Sequence, residues 1–287
     1  MTIEIRPVQT HNEYRAVEQL QQDVWGRSSI ALVHTSVLLT AQKNGGLVLG
    51  AFERGARPES NLGNSVGLVG FVFGFVGLTA TGTVKHCSHI AGVLPRYQGQ
   101  GVGYQLKLEQ RKRVLAQGIE LVSWTFDPLE SRNAYFNMRK LGATCRTYWP
   151  NLYGIMRDAL NADLPSDRFQ LDWHLASDHV VRRLHDAAPA PSLASLQADG
   201  ALLLNPNPPE TLPDFAARVA EGAERLLVQV PLSFQTIKST DMEEAQRWRL
   251  HTRDLFTAAF AGGYMATDFF VEGEQSYYLL ENQSDET

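Results

Sequence analysis

The chain has 287 residues, of which 44% are hydrophobic and 20% are charged, as in a globular protein with a sizeable core. This length predicts about one and a half to two domains. The net charge of −5 argues against a large basic face, and therefore against nucleic acid as the main partner.

Two cysteines, Cys87 and Cys145, are too few for a disulfide framework, and no Cys/His spacing predicts a zinc site, so no metal is expected. The start, MTIEIRP, lacks the charged and then apolar pattern of a signal peptide. Residues 60–84 carry no charge, but their apolar part, residues 66–80, is shorter than the roughly 20 residues of a membrane helix. We therefore expect a cytoplasmic protein without a membrane segment.

Apolar periodicity predicts the elements of the first part of the chain. Strand alternation is expected at residues 3–8, and helical spacing is found at residues 11–25 and 35–42. Further strands are expected at residues 47–53 and, with interrupting glycines, at residues 66–78.

Three glycines at alternate positions, Gly99, Gly101 and Gly103, follow a predicted strand at residues 89–94 and introduce a predicted helix at residues 102–117. Glycines let a backbone approach an anion, and the start of a helix offers N–H groups and partial positive charge. The spacing does not fit the G-x-G-x-x-G fingerprint, and the Gly-Lys-Ser/Thr of a P-loop is missing. We therefore predict a phosphate-binding loop of another class. The alternative is a turn that binds no ligand.

Residues 93–103 resemble the acyl-CoA pyrophosphate loop of the GNAT acyltransferase superfamily. The matching pattern is Gln98-x-x-Gly101-x-Gly103, preceded by Val93-x-Pro95. The resemblance implies that backbone N–H groups of this loop bind the pyrophosphate of an acyl-CoA.

Residues 119–143 hold a second block that is similar to the same family. The matching residues are Asn133, Ala134, Lys140, Leu141 and Gly142. Ala143 replaces the aromatic residue that usually follows. Two blocks in the right order are more specific than either alone, and the resemblance covers about residues 1–175.

The second block lies among four further predicted elements. A strand at residues 119–126 and a helix at residues 130–141 are followed by strands at residues 143–148 and 169–175. The complete order is the one that the resemblance implies: an α/β (α+β) fold, the GNAT acyl-CoA N-acyltransferase fold, with a mixed, mostly antiparallel sheet flanked by helices.

The composition changes after residue 175. Residues 186–213 are rich in Ala, Pro and Asn, and residues 176–213 are predicted to form a linker or crossing segment. The predicted elements of residues 214–287 are a strand, a helix and two strands, at residues 226–230, 241–261, 265–271 and 277–280. Because this order repeats that of residues 119–175, we predict a smaller C-terminal α+β half-domain, a degenerate half-repeat, after a GNAT domain at residues 1–175.

The resemblance implies acetyl-CoA, or another acyl-CoA, as co-substrate. The residues expected to bind it lie at the end of the preceding strand, in the loop and in the second block: Val93, Gln98, Gly99, Gln100, Gly101, Val102, Gly103, Tyr104 and Asn133. The backbone N–H near Val93 is expected to polarise the thioester carbonyl, and Asn133 to contact the cofactor arm.

Transfer to an amine also needs a base. His89 is the first candidate, because strand alternation would place it on the same face as Val93 and histidine titrates near neutral pH. A structural role is nevertheless more common for a single strand histidine. Asp127 is the second candidate, although a turn-forming role is the stronger interpretation.

The departing thiolate must receive a proton. The family often provides a tyrosine for this step where this chain has Met138. Tyr135 lies three positions earlier, on nearly the same face of the predicted helix, and is the candidate acid. Core packing explains Tyr135 about equally well.

These features predict a CoA-dependent N-acyltransferase, by default an acetyltransferase, that acts by direct attack of a small-molecule amine in a ternary complex. An amino-acid-like acceptor and a homodimer are further expectations. The alternative is a non-catalytic CoA-binding or protein-interaction module that retains the GNAT fold, and Met138 favours it.

Overall fold

The computed structural model describes residues 2–26, 32–55, 67–154, 164–185, 189–206, 217, 219 and 221–283. The chain forms two compact units, which divide between Trp124 and Thr125. The domain boundaries predicted after residues 175 and 213 stay a prediction.

The elements of the first unit, in chain order, are β1 Ile3–Pro7, α1 His11–Trp25, α2 Thr35–Lys43, β2 Leu47–Glu53, β3 Leu68–Leu78, β4 Val84–Val93, α3 Val102–Ala116 and β5 Leu121–Phe126. The strand order is β1-β2-β3-β4-β5, and the chain passes into the second unit within β5. Neighbouring strands are antiparallel from β1 to β4, whereas β4 and β5 are parallel. α1 and β2 have their predicted bounds, and β4 begins earlier than predicted.

The local sequence explains where α1 begins. Thr10 Oγ1 accepts a hydrogen bond from the Glu13 N–H (3.3 Å), and the Glu13 carboxylate accepts one from the Thr10 N–H (3.1 Å). The same carboxylate pairs with Arg6 of β1 at 2.6 Å. α1 and α3 both pack on β3 and β4. The buried core of this unit includes Val17, Leu20, Phe71, Val72 and Leu106.

The elements of the second unit are α4 Ser131–Ala134, a π-helix Tyr135–Lys140, β6 Thr144–Trp149, β7 Arg168–His174, α5 Asp178–His185, α6 Leu193–Ala198, β8 Leu202–Leu203, β9 Arg225–Pro231, α7 Phe234–Thr240, α8 Met242–Ala261, β10 Tyr264–Glu272 and β11 Gln275–Asn282. The strand order is β7-β6-β10-β11-β9-β8. The pairings are antiparallel except for the parallel pair β8 and β9.

The hairpins β6–β7 and β10–β11 share one irregularity. The ladder of the first skips Arg146 of β6, and the ladder of the second skips Thr267 of β10. Each skipped residue is the fourth after a glycine with positive φ, Gly142 (72°) or Gly263 (87°). A bulge bends its strand and increases the local twist, so the two hairpins are distorted at corresponding positions.

The two hairpins meet through the pair Cys145–Ala266. Cys145 directly precedes the bulge of β6, and Ala266 directly precedes the bulge of β10. Corresponding residues therefore pair with each other, as they do across a local two-fold axis. This register supports the predicted half-repeat more strongly than the order of elements did.

The segment at residues 176–213, predicted as a linker, contains α5, α6 and β8. Leu196 of α6 and Ala201 are buried in a cluster with Leu227 and Phe270. The Ala- and Pro-rich composition concealed these short elements, because each contributes only a few core residues. Residues 186–188 and 207–213 lie outside the described part.

The helix predicted at residues 130–141 also differs, because it widens into a π-helix at Tyr135–Lys140. The Leu141 N–H donates to the Phe136 carbonyl, five residues back, at 3.1 Å. An extra residue per turn changes the helical positions of the side chains. Met138 is fully buried, whereas Tyr135 is half-buried, so the predicted common face is not kept.

We expect Arg249→Met to destabilise the second unit. Arg249 is buried in α8, and its guanidinium binds both carboxylate oxygens of Asp127, with Nη1 to Oδ1 at 2.8 Å. The substitution leaves the Asp127 carboxylate with the more distant Arg168, whose Nη1 lies 3.7 Å from Oδ2. We therefore expect a cost of at most about 3–5 kcal/mol, the value for a fully broken buried pair. Denaturant unfolding followed by circular dichroism measures this change.

Arg247→Met is the matched control, because Arg247 is exposed on the same helix. We expect its free energy of unfolding to stay within about 0.5 kcal/mol of the parent protein. Equal stability of the two variants would show that the Arg249–Asp127 pair does not stabilise the unit.

Candidate functional site

The glycine loop between β4 and α3 depends on backbone conformations that favour glycine. Gly99 and Gly101 have φ values of 77° and 80°. A Cβ at either position would meet no atom within 4 Å, so conformation rather than crowding requires glycine there. Another residue would be strained by about 1–2 kcal/mol in this left-handed region.

The start of α3 leaves N–H groups for a ligand. Gly101 is the N-cap and forms no side-chain cap, and the helical bonds begin with the Gln105 N–H to the Gly101 carbonyl at 3.0 Å. In a helix, the N–H groups before that bond have no intrahelical acceptor. Those of Val102, Gly103 and Tyr104 are therefore the groups that an anion would meet.

Two glutamines brace the loop. Gln98 Nε2 donates to the Val93 carbonyl at 3.0 Å, and Gln100 Nε2 donates to the Arg96 carbonyl at 2.8 Å. Gly103 lies inside α3 with ordinary φ, and a Cβ there would approach only Val93 Cγ2, at 3.9 Å. The open glycines and the uncapped helix start fit a pyrophosphate group.

A bulge in β4 lies before this loop. Phe73 of β3 pairs with Ile90, and the next residue, Gly74, pairs with Ser88, so His89 is the extra residue. In the described ladder, β4 pairs with β5 at two positions, the second being Cys87–Ser123, although β4 continues to Val93. The parallel pair therefore ends where the bulge begins.

The bulge overturns one expectation about His89. Its imidazole packs against Phe73 and Phe75, with ring centroids at 5.8 and 5.9 Å. Val93 instead lies beside Val102 of α3. The extra residue interrupts the alternation of β4, so the prediction that His89 and Val93 share a face is wrong.

His89 is an exposed residue, yet its ring lies against two aromatic rings. This partial desolvation lowers the pKa of the imidazole below its ordinary value of 6.5. His89 is therefore neutral at pH 7 and can accept a proton. Its catalytic role stays a prediction.

Sequence reasoning missed a buried polar cluster on the α3 face of β4. We call it the Lys107 cluster; its members are His86, Ser88, Lys107, Gln110 and Trp124. Lys107 Nζ donates to Ser88 Oγ (3.0 Å) and Gln110 Oε1 (2.9 Å), and it lies 3.8 Å from the centroid of a Trp124 ring. The signal in the sequence was helical spacing, since Gly103, Lys107 and Gln110 lie on one side of α3.

Burial dominates the electrostatics of this cluster. Burial lowers the pKa of Lys107 to about 7. Burial and then the charge of Lys107 lower the pKa of His86 to about 4. Near neutral pH the cluster therefore holds a neutral histidine and a lysine that is close to half protonated.

The second unit contains the other predicted site residues. Asp127 binds Arg249 and accepts a hydrogen bond from the Leu129 N–H at 2.9 Å. These contacts favour the structural interpretation of Asp127, since both of its carboxylate oxygens are already held by the Arg249 guanidinium. Asn133 is exposed, and Tyr135 is half-buried with Lys140 Nζ 5.8 Å from its ring centroid.

Glu130 was also missed as a candidate base. Burial, followed by the charge of Asp127, raises the pKa of Glu130, although a hydrogen bond from Gln235 Nε2 at 2.5 Å opposes this shift. In the described part of the chain, no group of three or more His, Cys, Asp or Glu residues could hold a metal ion. None of the described helices is long and apolar enough to cross a bilayer.

Sequence comparisons with protein-family models and with curated proteins find no match. Solved acetyltransferase structures align with part of this chain. Arabidopsis thaliana NAA60 in complex with acetyl-CoA is 15% identical, with a TM-score of 0.48, over 60% of this chain and 98% of that chain. The Escherichia coli ribosomal-protein-S18-alanine N-acetyltransferase is 14% identical, with a TM-score of 0.44, over 61% and 96% of the two chains. Salmonella typhimurium yncA with acetyl-CoA is 18% identical, with a TM-score of 0.43, over 67% and 99%.

At these identities the likenesses leave activity and substrate open. The architecture rests on the chain itself: four antiparallel strands, one parallel pair that ends at a bulge, and a glycine loop before α3. The predicted fold class, a mixed and mostly antiparallel sheet flanked by helices, is confirmed, and it is the fold that the resemblance to the GNAT superfamily implied.

Proposed function

We propose that the protein is a CoA-dependent acyltransferase that transfers an acyl group from an acyl-CoA to an amine. The observation that carries the proposal is the uncapped start of α3 behind the left-handed Gly101. Such a helix start is a ready site for a pyrophosphate, and it directly follows the strand that leaves its parallel neighbour.

The loop residues have separate tasks in this proposal. The N–H groups of Val102, Gly103 and Tyr104 bind the pyrophosphate, and Gln98 and Gln100 hold the loop through backbone carbonyls. When bound, acyl-CoA supplies the acyl group as a reactive thioester. Acetyl-CoA is the default donor.

His89 is the proposed base for the amine. Its lowered pKa keeps the imidazole neutral at pH 7, as proton acceptance requires. It lies on the face of β4 that also carries Gly92, where a Cβ would meet Trp25 at the end of α1. The acceptor is proposed to approach this face, so that amine and acyl-CoA meet directly in a ternary complex.

The proton for the thiolate is assigned to Tyr135 and the contact with the cofactor arm to Asn133, both by resemblance alone. A small-molecule amine is the proposed acceptor, and an amino-acid-like compound is the first one to test.

Met138, which is buried, favours the second candidate function, a CoA-binding or interaction module without catalysis. An amine panel that includes peptides and monitors free thiol separates these functions.

We expect Gly103→Ala to weaken CoA binding without loss of stability. A Cβ at Gly103 has room in the protein, and alanine favours a helix by up to about 1 kcal/mol over glycine. A ligand held against the backbone would meet the new methyl group. Calorimetric titration with CoA is expected to show at least about tenfold weaker affinity, equivalent to 1.4 kcal/mol.

Gly101→Ala and Gly118→Ala complete the experiment as a matched pair. Both glycines have positive φ, 80° and 74°, with no atom near a new Cβ, but Gly118 lies beyond the far end of α3. We expect both variants to lose about 1–2 kcal/mol of stability, and only Gly101→Ala to lose CoA affinity. Unchanged CoA affinity in Gly101→Ala and Gly103→Ala would remove the basis of the proposed function.

If His89 is the base, kcat/KM falls as pH decreases through its pKa. Because burial lowers that pKa, the midpoint of the acidic limb is expected below pH 6.5. His89→Ala is expected to reduce kcat about 100-fold or more, to remove this limb and to leave CoA affinity unchanged. His34→Ala, which changes an exposed histidine, is the control. If the acidic limb of the kcat/KM profile persists in His89→Ala, His89 is not the base.

A further inference from the structure

The Lys107 cluster lies where β4 and β5 separate. His86 and Cys87 are the β4 residues in the described ladder with β5, and Ser88 is the next residue. Lys107 reaches this point from α3 and donates to the Ser88 hydroxyl at 3.0 Å. A buried amine therefore marks the closed end of the space between the two strands.

In the proposed function, Lys107 lies where the acyl group of a bound acyl-CoA would end. If the pyrophosphate binds at the start of α3 and the arm of the acyl-CoA follows β4, the acyl group extends away from the loop. The closed end that it approaches is lined by Ser88 and Lys107. The methyl group of an acetyl donor forms no hydrogen bond with an ammonium group at this position. A carboxylate at the end of a longer acyl chain would form a charge-assisted hydrogen bond with it.

The contacts of Lys107 suit such an exchange. Two of its partners, Ser88 Oγ and Gln110 Oε1, are neutral oxygen atoms, and a third contact is the face of Trp124. A hydrogen bond from a lysine to a carboxylate is about twice as strong as one to a neutral oxygen. An incoming carboxylate can therefore replace the neutral acceptors.

His86 provides a second, independent observation. Its Nε2 lies 3.2 Å from Gln110 Nε2, which can only donate, so Nε2 is the acceptor and the proton resides on Nδ1. The side chain is fully buried, and no acceptor for Nδ1 is found among the described residues. A buried donor without a partner is costly, and it indicates a polar ligand in this cluster.

We propose that Lys107 binds a carboxylate at the far end of the acyl group, and that the preferred donor is therefore the CoA thioester of a dicarboxylic acid, with succinyl-CoA as the simplest probe. This inference rests on the proposed function and names its donor class. The ammonium group of Lys107 selects the donor, while the reacting thioester lies nearer to the loop.

Calorimetric titration of the full chain with succinyl-CoA and acetyl-CoA tests the inference. We expect succinyl-CoA to bind about 10- to 100-fold more tightly, as a charge-assisted hydrogen bond in a buried site implies. Titrations at pH 8 in two buffers with different ionisation enthalpies add a second readout. Since the pKa of Lys107 in the protein without ligand is about 7 and a carboxylate would raise it, succinyl-CoA is expected to bind with uptake of close to one proton more than acetyl-CoA.

Lys107→Met removes the charge and keeps the length of the side chain. We expect this variant to lose both the preference for succinyl-CoA and the proton uptake, while its affinity for acetyl-CoA stays within about twofold. Lys112→Met, which changes an exposed lysine of the same helix, is expected to behave as the parent protein.

The possible failures are distinguishable. Absence of binding to both thioesters in the parent protein would overturn the proposed function itself. Equal affinity and equal proton uptake for the two thioesters would overturn the role of Lys107 and leave the proposed function intact. Acylation of the Lys107 amine, detected as a mass increase at this residue, would also overturn it, because the amine would then be an acceptor.

Discussion

The bulge at His89 is the constraint on which the rest of the candidate site depends. One extra residue in β4 interrupts the alternation of the strand, so His89 faces Phe73 and Phe75 while Val93, four residues later, lies beside Val102 of α3. The described ladder to β5 ends at the residue before Ser88. Without the bulge, alternation would place Val93 on the same face as His89 and away from α3.

The loop after β4 offers backbone N–H groups to a ligand, whereas the Lys107 cluster offers side chains. Gly101 accepts left-handed φ and ends the loop without a cap, which leaves the first N–H groups of α3 for a ligand. Natural helices usually satisfy these groups with a Ser, Thr, Asp or Asn side chain. With glycine as the N-cap, the missing side chain costs about a few tenths of a kcal/mol, which a bound pyrophosphate would restore. Binding and helix stability are therefore coupled in this loop.

Local patterns predicted much of the fold and little of the chemistry. Helical periodicity and a capping box determine α1, and alternation determines β2, so both have their predicted bounds. The glycine loop was also recognisable, because its conformations need glycine. The bulge at His89, the π-helix at Tyr135–Lys140 and the burial of Lys107 depend on register and on packing between elements. No pattern within one segment predicts the bulge or the π-helix, and helical spacing groups Lys107 with Gln110 without predicting its burial. The prediction that His89 and Val93 share a face was wrong for the same reason.

The two similar hairpins of the second unit bear on whether it could contain a second phosphate loop. β6–β7 and β10–β11 keep the same bulge and meet at Cys145–Ala266, which is an interaction of packing and register. The part of the second unit that repeats the order of residues 119–175 begins with a strand and a helix. Residues 231–241, which connect that strand to α8, contain no glycine. The predicted half-repeat would copy the frame of the fold but not the segment that carries the phosphate loop. In the proposed function the glycine loop of the first unit is the acyl-CoA site, and the predicted half-repeat extends the sheet of the second unit.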